Sequence, residues 1–465
     1  MKRMYLATGL DHILREAKQI RHNQAFRLND AVVQAIYSKA EQIAQKVVTH
    51  SEKPGIDWDQ KLDDILTSRI FGFPSMLLLL GIIFWLTIAG ANVPSAVIAS
   101  VLFWGQDRLT DLCYYLSAPA WFHGLFVEGM YRSLAWVISV MLPPMAIFFP
   151  CFTLLEDMGY LPRVAFNLDR LFKKAGAHGK QSLTMSMGFG CNAAGIVACR
   201  IIESPRERLI AMLTNNFVPC NGRFPTLIAL AGVLVFGMGR AFCYTAAIVS
   251  GIVLLGIAVT LAVSWTLSKT LLKGVPSAFT LELPPYRKPQ VGKIIMRSIL
   301  DRTLFVLGRA VCMAAPAGAV TWLLANVFVG ELSVLNHSAQ WLNPFAQAIG
   351  LDGFILMAFI LGLPANEIVL PILIMSYLAT GSMTELQSIE DLYHLFVGQH
   401  GWTWLTALCM MLFSLLHYPC STTLWTMRKE SGSTKWTVLA ALIPLGIACA
   451  VCYITAQAAR ILGLV

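Results

Sequence analysis

The sequence predicts an all-α, polytopic helical membrane protein with two inverted-topology repeats, each with a re-entrant helical hairpin and a broken transmembrane helix. Three observations predict this fold class. Only 13% of the 465 residues are charged and 56% are apolar, whereas a soluble protein carries about a quarter charged residues. Apolar stretches recur that are long enough to cross a bilayer core of about 30 Å. Paired motifs rich in Gly, Pro and Asn interrupt four of these stretches. A soluble multidomain enzyme is excluded.

The N-terminal region, residues 1–72, is polar and lacks an apolar signal segment behind its first Lys-Arg pair, so we expect it to stay in the cytosol. Trp58, Leu62 and Ile65 fall on one helical face near its end, which predicts an interfacial helix that leads into the first span. Residues 73–132 are predicted to hold the first transmembrane helix and an external amphipathic region.

Seven crossings are predicted from uncharged or nearly uncharged stretches. They lie at 73–90, 133–155, 209–239, 241–268, 303–330, 401–427 and 436–459. Two further apolar segments, 182–199 and 353–378, carry a Gly-containing motif at the middle. An arm of about ten residues rises only about 15 Å, half the core thickness, so each segment predicts a hairpin that enters and leaves on one side.

Basic residues set the orientation. Residues 156–181 carry five Lys or Arg, 269–309 carry eight, and 311–427 carry none. The first hairpin is therefore expected to open from the cytosol and the second from outside. Residues 133–268 form the predicted first repeat, 269–302 a basic cytoplasmic linker, and 303–465 the inverted second repeat. A substrate site near the midplane is typical of this architecture.

The same distribution explains the net charge of +9. Basic loops that orient a chain in the bilayer give such a charge without any nucleic acid. We therefore expect the lipid bilayer as a partner and no nucleic acid. The predicted location is the cytoplasmic (inner) membrane, with multiple crossings and a cytosolic N-terminus.

The two hairpin tips share a pattern. The first reads Gly188-Phe-Gly190-Cys-Asn192 and the second Gly362-Leu-Pro-Ala-Asn366, so that Gly and Asn keep the same offset. Asn side chains close turns by bonding to backbone groups, which is the simpler interpretation of both Asn residues.

The two broken spans share Pro219-Cys220 and Pro419-Cys420. Proline inside a membrane helix frees a carbonyl, which is tolerated where protein, water or substrate can bond to it. The breaks therefore predict a polar cavity.

Four side chains at the tips and breaks have the chemistry of metal ligands: Cys191, Cys220, Cys420 and Glu367. An ionisable group at that depth is a site candidate by default. Thiols combined with a carboxylate and amide oxygens suit a borderline divalent transition metal. The eleven cysteines follow no disulfide or zinc pattern, so most are expected to be reduced thiols.

Simpler interpretations stay open for three further features. Glu367 is also well positioned to cap the second arm of its hairpin. His417, inside a span, is expected to be a packing residue with satisfied hydrogen bonds. Arg223 either anchors the first broken helix or excludes cations electrostatically.

Several motifs in order resemble the membrane region of FeoB-type ferrous iron transporters, over about residues 40–459. They are Glu156-Asp-Met-Gly-Tyr160, Gly188-Phe-Gly-Cys-Asn192, Glu203…Arg206-Glu-Arg208 and Cys420…Arg428-Lys-Glu430…Gly432-Ser-Thr-Lys-Trp436. The resemblance implies that the paired hairpins are Gate repeats, which nucleoside transporters share. It also implies Fe(II) as the transported substrate, no permanently bound cofactor, and roles in iron passage for Cys191, Cys220, Cys420 and Glu367. The sequence departs from the family at Ala193-Ala194 and around Pro219.

FeoB proteins usually begin with a GTPase domain. The nearest match to the phosphate-binding motif here is Gly179-Lys180, which Gln181 follows where Ser or Thr is required. Either a GTPase is a separate chain, or this chain works without one. The resemblance implies two kinds of partner, a separate GTPase subunit and small cytosolic accessory proteins of the iron system. It is also compatible with a homo-oligomer.

Three classes of function remain open. Thiols at both breaks favour a metal-ion permease over an enzyme, with Mn or Zn as alternative metals. A Gate-family carrier of a nucleoside or other organic solute is the second class, and it would need aromatic and amide groups in the cavity. A non-transporting scaffold would have no use for an intramembrane carboxylate and four breaks.

Overall fold

The computed structural model describes residues 32, 35–47, 58–68, 71–237, 243–273, 286, 289–384, 386 and 388–463. Most of the predicted cytosolic segment 1–72 therefore lies outside the described residues. The described chain is almost wholly helical and confirms the predicted all-α class. Its one strand pair, within these ranges, is the short antiparallel hairpin of β1 (Phe328–Val329) and β2 (Leu332–Ser333).

The helices of the first half run from the N-terminal segment to the end of the predicted first repeat. They are α1 (Trp58–Leu66), α2 (Gly72–Tyr115), α3 (Ala120–His123), α4 (Arg132–Asp157), α5 (Tyr160–Lys174), α6 (Gln181–Gly190), α7 (Asn192–Ala198), α8 (Pro205–Thr214), α9 (Phe224–Gly237) and α10 (Cys243–Lys269). A π-helical stretch, Gly124–Tyr131, joins α3 to α4.

The helices of the second half follow the basic linker. They are α11 (Val291–Arg297), α12 (Leu304–Asn326), α13 (Val334–Ala348), α14 (Gly353–Leu361), α15 (Val369–Leu378), α16 (Ile389–Tyr393), α17 (Trp404–Leu416), α18 (Ser421–Ser431) and α19 (Thr434–Ile461). Two further π-helical stretches, Ser298–Thr303 and His394–Gln399, lead into α12 and follow α16.

Seven described helical segments are long and apolar enough to cross a membrane, and they coincide in order with the seven predicted crossings. The first predicted crossing, 73–90, is shorter than the helix found there. Helix α2 continues unbroken for 44 residues, about 66 Å, which is more than twice the thickness of the bilayer core. The polar residues from Asp107 to Asp111 lie on its C-terminal part, beyond the length that a bilayer requires.

Both predicted hairpins are present as pairs of short helices. In the first, α6 and α7 meet at Cys191, whose backbone is extended with φ −154° and ψ 125°. In the second, α14 is followed by a 3₁₀ turn at Asn366–Ile368 and by α15, and Ala365 has φ −151° and ψ 124°. The two tips therefore have the same backbone conformation at equivalent positions, directly before Asn192 and Asn366.

Both predicted helix breaks are also present. Between α8 and α9 the backbone is extended at Val218 and Cys220, on either side of Pro219. Between α17 and α18 it is extended at His417, and α18 begins directly after Cys420. Because proline cannot donate to a helical ladder, each break leaves carbonyls that need other partners.

Helix α1 is held against α5 by polar side chains. The Arg163 guanidinium, which is buried, bonds Asp63 through Nε at 3.0 Å and Nη2 at 3.2 Å. The Tyr286 hydroxyl donates to the same carboxylate at 2.7 Å, and Asn167 donates to the Leu66 carbonyl at 2.7 Å. Helix α5 packs in turn on α6, the first arm of the first hairpin.

Candidate ion-transfer site between the two repeats

The tip of the second hairpin lies against the break of the first repeat. The Asn366 amide is 3.8 Å from the Cys220 thiol. The Glu367 carboxylate lies over Gly222, so closely that a Cβ at that glycine would be 2.1 Å from Glu367 Oε1. The predicted ligands Cys220 and Glu367 thus come from different repeats and share one region.

The first hairpin lies against the break of the second repeat. Its second arm, α7, packs along α18, and these two helices begin directly after Cys191 and Cys420. The second hairpin also bonds the start of α18, because the Ser421 amide donates to the Leu363 carbonyl at 2.8 Å. Each hairpin therefore faces the broken helix of the opposite repeat.

The four predicted ligands lie at tips and breaks that are neighbours in the fold. Asn366, directly before Glu367, is 3.8 Å from Cys220, and the helices that follow Cys191 and Cys420 pack side by side. Cys191 is 7% exposed, whereas the other three are half-buried. However, within the described part of the chain no three His, Cys, Asp or Glu side chains converge on a position where they could hold a metal ion. The four groups line one region and do not form a closed coordination shell.

Oxygen atoms supplement the thiols at the second break. The Thr423 hydroxyl is 3.1 Å from the Cys420 sulfur, one turn into α18. Sulfur from Cys420 and hydroxyl oxygen from Thr423 therefore lie side by side at the start of α18. A mixed sulfur and oxygen set of this kind is one that a borderline metal accepts.

Arg223 joins the two breaks. It is 1% exposed, and its Nη1 donates to the carbonyls of Asn216 and Leu415, each at 2.8 Å. Its Nη2 reaches Asn216 Oδ1 at 3.0 Å and the carbonyls of His417 and Tyr418 at 3.2 and 3.3 Å. The acceptors come from both broken spans. Of the two interpretations of Arg223, these bonds give the anchoring one a structural basis.

Asn216 completes this connection. Its amide donates to the His417 carbonyl at 2.6 Å. The His417 ring is fully buried, lies against Phe359 and Phe413, and bonds the carbonyls of Phe413 and Ser414 at 3.0 and 2.9 Å. His417 is thus engaged in packing and in ending α17, as expected from the sequence.

Asn192 closes the first tip from within. In the amide orientation that satisfies both of its polar atoms, it donates to the carbonyls of Gly188 and Asn215 at 3.1 and 3.3 Å. Asn215 returns a bond to the Asn192 carbonyl at 3.1 Å. A Cβ at Gly188 would come within 2.8 Å of Asn215 Oδ1, so glycine allows this close approach between hairpin and broken helix.

Glycine has a packing role at two other predicted tip positions. A Cβ at Gly190 would be 2.1 Å from the Phe148 ring, and one at Gly362 would be 2.4 Å from Val369 Cγ2. Both tips are therefore tightly packed turns.

Sequence reasoning missed Asn215 and Asn216. They link the first break to the first hairpin and to the second break, respectively. The available signal was their position: two consecutive amides close to Pro219, inside an apolar span, are expensive unless they bond freed backbone groups.

Two known families match parts of this chain. The Gate family, described as nucleoside recognition, matches residues 138–234 and 307–434. The family described as ferrous iron transport protein B C terminus matches residues 249–301. The two Gate matches fall within the two predicted repeats.

Several curated relatives of this chain are named as FeoB transporters. The Fe(2+) transporter FeoB of Staphylococcus aureus (strain MSSA476) is 30% identical over 414 residues, covering 87% of this chain and 60% of that protein. An Fe(2+) transport protein A/Fe(2+) transporter FeoB fusion protein of Porphyromonas gingivalis is 27% identical, covering 83% and 50%. The Methanocaldococcus jannaschii FeoB is 27% identical, covering 93% and 63%.

The chain thus spans 50% to 63% of the length of these three relatives. Among solved structures, CNTnw in an inward-facing substrate-bound state aligns with 85% of the chain at 16% identity and a TM-score of 0.38, a level from which no shared fold is inferred. The matches to the Gate and ferrous iron transport protein B families, together with relatives that cover 87% of the chain, lead to one conclusion. The chain belongs to the FeoB family, and it corresponds to the Gate-containing membrane region of that family.

Proposed function

We propose that this chain carries ferrous iron across the cytoplasmic membrane, through a thiol and carboxylate site between its two repeats. One observation supports the proposal: each hairpin lies against the broken helix of the other repeat, in the region where Cys191, Cys220, Cys420 and Glu367 are found. The relatives named as Fe(2+) transporters support iron as the cargo.

The ligand chemistry fits a weakly held ion. Ferrous iron is early in the Irving–Williams order, so a site cannot select it from copper or zinc by affinity alone. A few thiols supplemented by a carboxylate and by hydroxyl and carbonyl oxygens would bind it without trapping it. An ion that must enter and leave needs a site of limited affinity, which suits four groups that do not close into a shell.

The two-repeat geometry supplies a route. If one repeat rocks against the other, groups at their interface become accessible alternately from each side. Arg223 bonds backbone of both breaks, and the Asn216 side chain bonds backbone of the second. These bonds would keep the broken helices in register during such a movement.

We also propose that nucleotide regulation, if the cell uses it, acts through a GTPase outside these 465 residues. The two Gly-Lys pairs, Gly179-Lys180 and Gly292-Lys293, are followed by Gln181 and Ile294, where the phosphate-binding motif requires Ser or Thr. The purified chain should therefore show no saturable micromolar GTP binding. Small accessory proteins are proposed as further partners, in line with the relative that is named as a fusion with transport protein A.

Uptake into proteoliposomes tests the function directly. The purified chain is reconstituted, and uptake of Fe(II), kept reduced with ascorbate, is compared with uptake of Mn(II), Zn(II) and uridine. Empty liposomes are the control. Saturable Fe(II) uptake that exceeds the other three supports the proposal.

Three results would reject it. Uptake of uridine without metal uptake would favour the nucleoside alternative that the Gate family suggests, and preferential Mn(II) or Zn(II) uptake would assign another metal. Absence of all uptake would contradict autonomous transport by this chain.

A further inference from the structure

An ion pair joins the two repeats at the far ends of the helices that lead away from the proposed site, the ends that the basic residues assign to the cytosol. Arg200 Nε and Nη2 donate to the two carboxylate oxygens of Glu430 at 2.7 and 2.6 Å. Arg200 lies directly beyond α7 of the first repeat, and Glu430 lies in the last turn of α18 of the second. Such a bidentate pair has the most specific geometry that an arginine and a carboxylate can adopt.

The positions of the partners relate the pair to the site. Helix α7 begins after Cys191 and ends just before Arg200, and α18 begins after Cys420 and ends just after Glu430. The two helices pack side by side. Arg200 is nine positions after Cys191, and Glu430 is ten positions after Cys420. These offsets correspond to about 14 and 15 Å at a helical rise of 1.5 Å per residue. The same two helices therefore carry proposed ligands at one end and the ion pair at the other.

Glu430 is in an unfavourable place for an isolated acid. It lies at a helix C-terminus, where the dipole favours cations, and its side chain is only 11% exposed, whereas that of Arg200 is 66% exposed. The carboxylate thus depends on a cation from the opposite repeat. The arginine, in contrast, can swing into water when the pair opens.

We propose that Arg200 and Glu430 form a cytoplasmic latch that holds α7 against α18 and closes the thiol site on that side. The role of this latch in transport rests on the proposed function, whereas the ion pair itself is given by the contacts described above. Opening toward the cytosol requires α7 and α18 to separate, and the latch must break first. These two residues set the balance between closed and open states and do not bind the ion.

Thiol accessibility tests the latch without using iron. The full chain, in membrane vesicles with the cytosolic face exposed, is treated with a membrane-impermeant maleimide, and the labelling rate of Cys420 is read by peptide mass spectrometry. We expect Arg200→Gln and Glu430→Gln to raise this rate by about two- to fivefold, the range expected for a partly exposed ion pair. The double swap Arg200→Glu/Glu430→Arg should return it toward the wild-type rate.

Arg108→Gln is the matched control. Arg108 and Asp111 form an exposed ion pair within α2, 3.6 Å apart, so its loss should leave the labelling of Cys420 unchanged. Equal labelling of wild type and Arg200→Gln would overturn the latch, and so would a double swap that labels as fast as the single variants. If labelling behaves as expected while wild type transports no iron, the latch stands and the proposed function fails.

Discussion

The Glu367 carboxylate occupies the space that a side chain at Gly222 would need. A Cβ at position 222 would be 2.1 Å from Oε1 and 2.4 Å from the carboxyl carbon. These residues belong to different repeats and are 145 positions apart. Their contact makes the second hairpin and the first break a single surface.

Gly222→Ala should therefore push the carboxylate away from Cys220. Because the clashing group is the end of a flexible side chain, we expect the fold to persist and Fe(II) uptake to fall on the order of tenfold, as for perturbed metal ligands. Gly251→Ala is the control, since a Cβ there meets nothing within 4 Å. Wild-type uptake by Gly222→Ala would argue against a role for the position of Glu367.

The four proposed ligands give a second prediction. Cys191→Ser, Cys220→Ser, Cys420→Ser and Glu367→Gln should each lower Fe(II) uptake on the order of tenfold. Glu367→Gln should leave the fold intact, because an amide is less costly to bury than a carboxylate.

Cys449→Ser serves as the control for these variants. Cys449 lies on α19, among the free thiols that are half-buried. Cys243→Ser is a second control by sequence, although that side chain lies outside the described residues. Normal transport by all four ligand variants, or equal damage by the controls, would remove the proposed site.

A third prediction concerns Arg223. Replacing it with Met leaves carbonyls of both breaks without their donor, at a cost of about 1–3 kcal/mol. Thermal unfolding in detergent should show a lowered midpoint. Arg223→Lys should not rescue it, because an ammonium cannot reproduce the planar fork that bonds several carbonyls. If Arg223 acted only by repelling cations, the lysine variant would be as stable as wild type.

The contact between Asp63 and Arg163 predicts a pH dependence. The hydrogen bond from the Arg163 guanidinium lowers the pKa of Asp63 below its ordinary value of 3.8, although partial burial opposes the shift. A lowered carboxyl pKa contributes stability above the unfolded value and loses it as the pH falls through the folded value. Burial, followed by the bond to Asp63, raises the pKa of Tyr286 to about 12, so its hydroxyl still donates at neutral pH.

The difference in unfolding midpoint between wild type and Asp63→Asn should therefore be constant from pH 7 to about pH 4. It should shrink only below that range. A difference that disappears between pH 7 and pH 5 would mean that another group, not Asp63, controls the docking of α1.

The orientation gives a fifth prediction. Engineered thiols at Glu331 and Glu390 should react with an impermeant reagent from outside, and those at Lys174 and Lys273 from the cytosol, above the background of the parent chain. All four positions are exposed. Labelling of Glu331→Cys and Glu390→Cys only from the cytosolic side would contradict the inverted repeat.

Much of the architecture could be predicted because it is local. Each crossing is an apolar stretch of sufficient length, and Pro219 and Pro419 break helices through their own geometry. The excess length of α2 could not be predicted, because Asp107 and Arg108 are as compatible with a helix as with a polar loop.

The sequence was enough to propose the residues of the candidate site, but not to predict which of them contact each other. The sequence motifs indicated Cys220 and Glu367 as separate candidate ligands. That they lie in one region depends on how the two repeats pack against each other, which the motifs do not contain. Arg223 shows the same limit. Its charge suggested an anchor or a barrier, and only the tertiary structure supplies the carbonyls of Leu415 and His417, almost 200 positions away.

The two hairpin tips have one shape and two chemistries. Cys191 and Ala365 share their backbone angles within a few degrees, yet one bears a sulfur and the other a methyl group, and the acid at Glu367 has Ala193 as its counterpart in the first hairpin. An ion that passes from one tip to the other would exchange a soft donor for a hard one. The two tips thus share one backbone frame, and under the proposed function their different side chains would make the two ends of the passage chemically unequal.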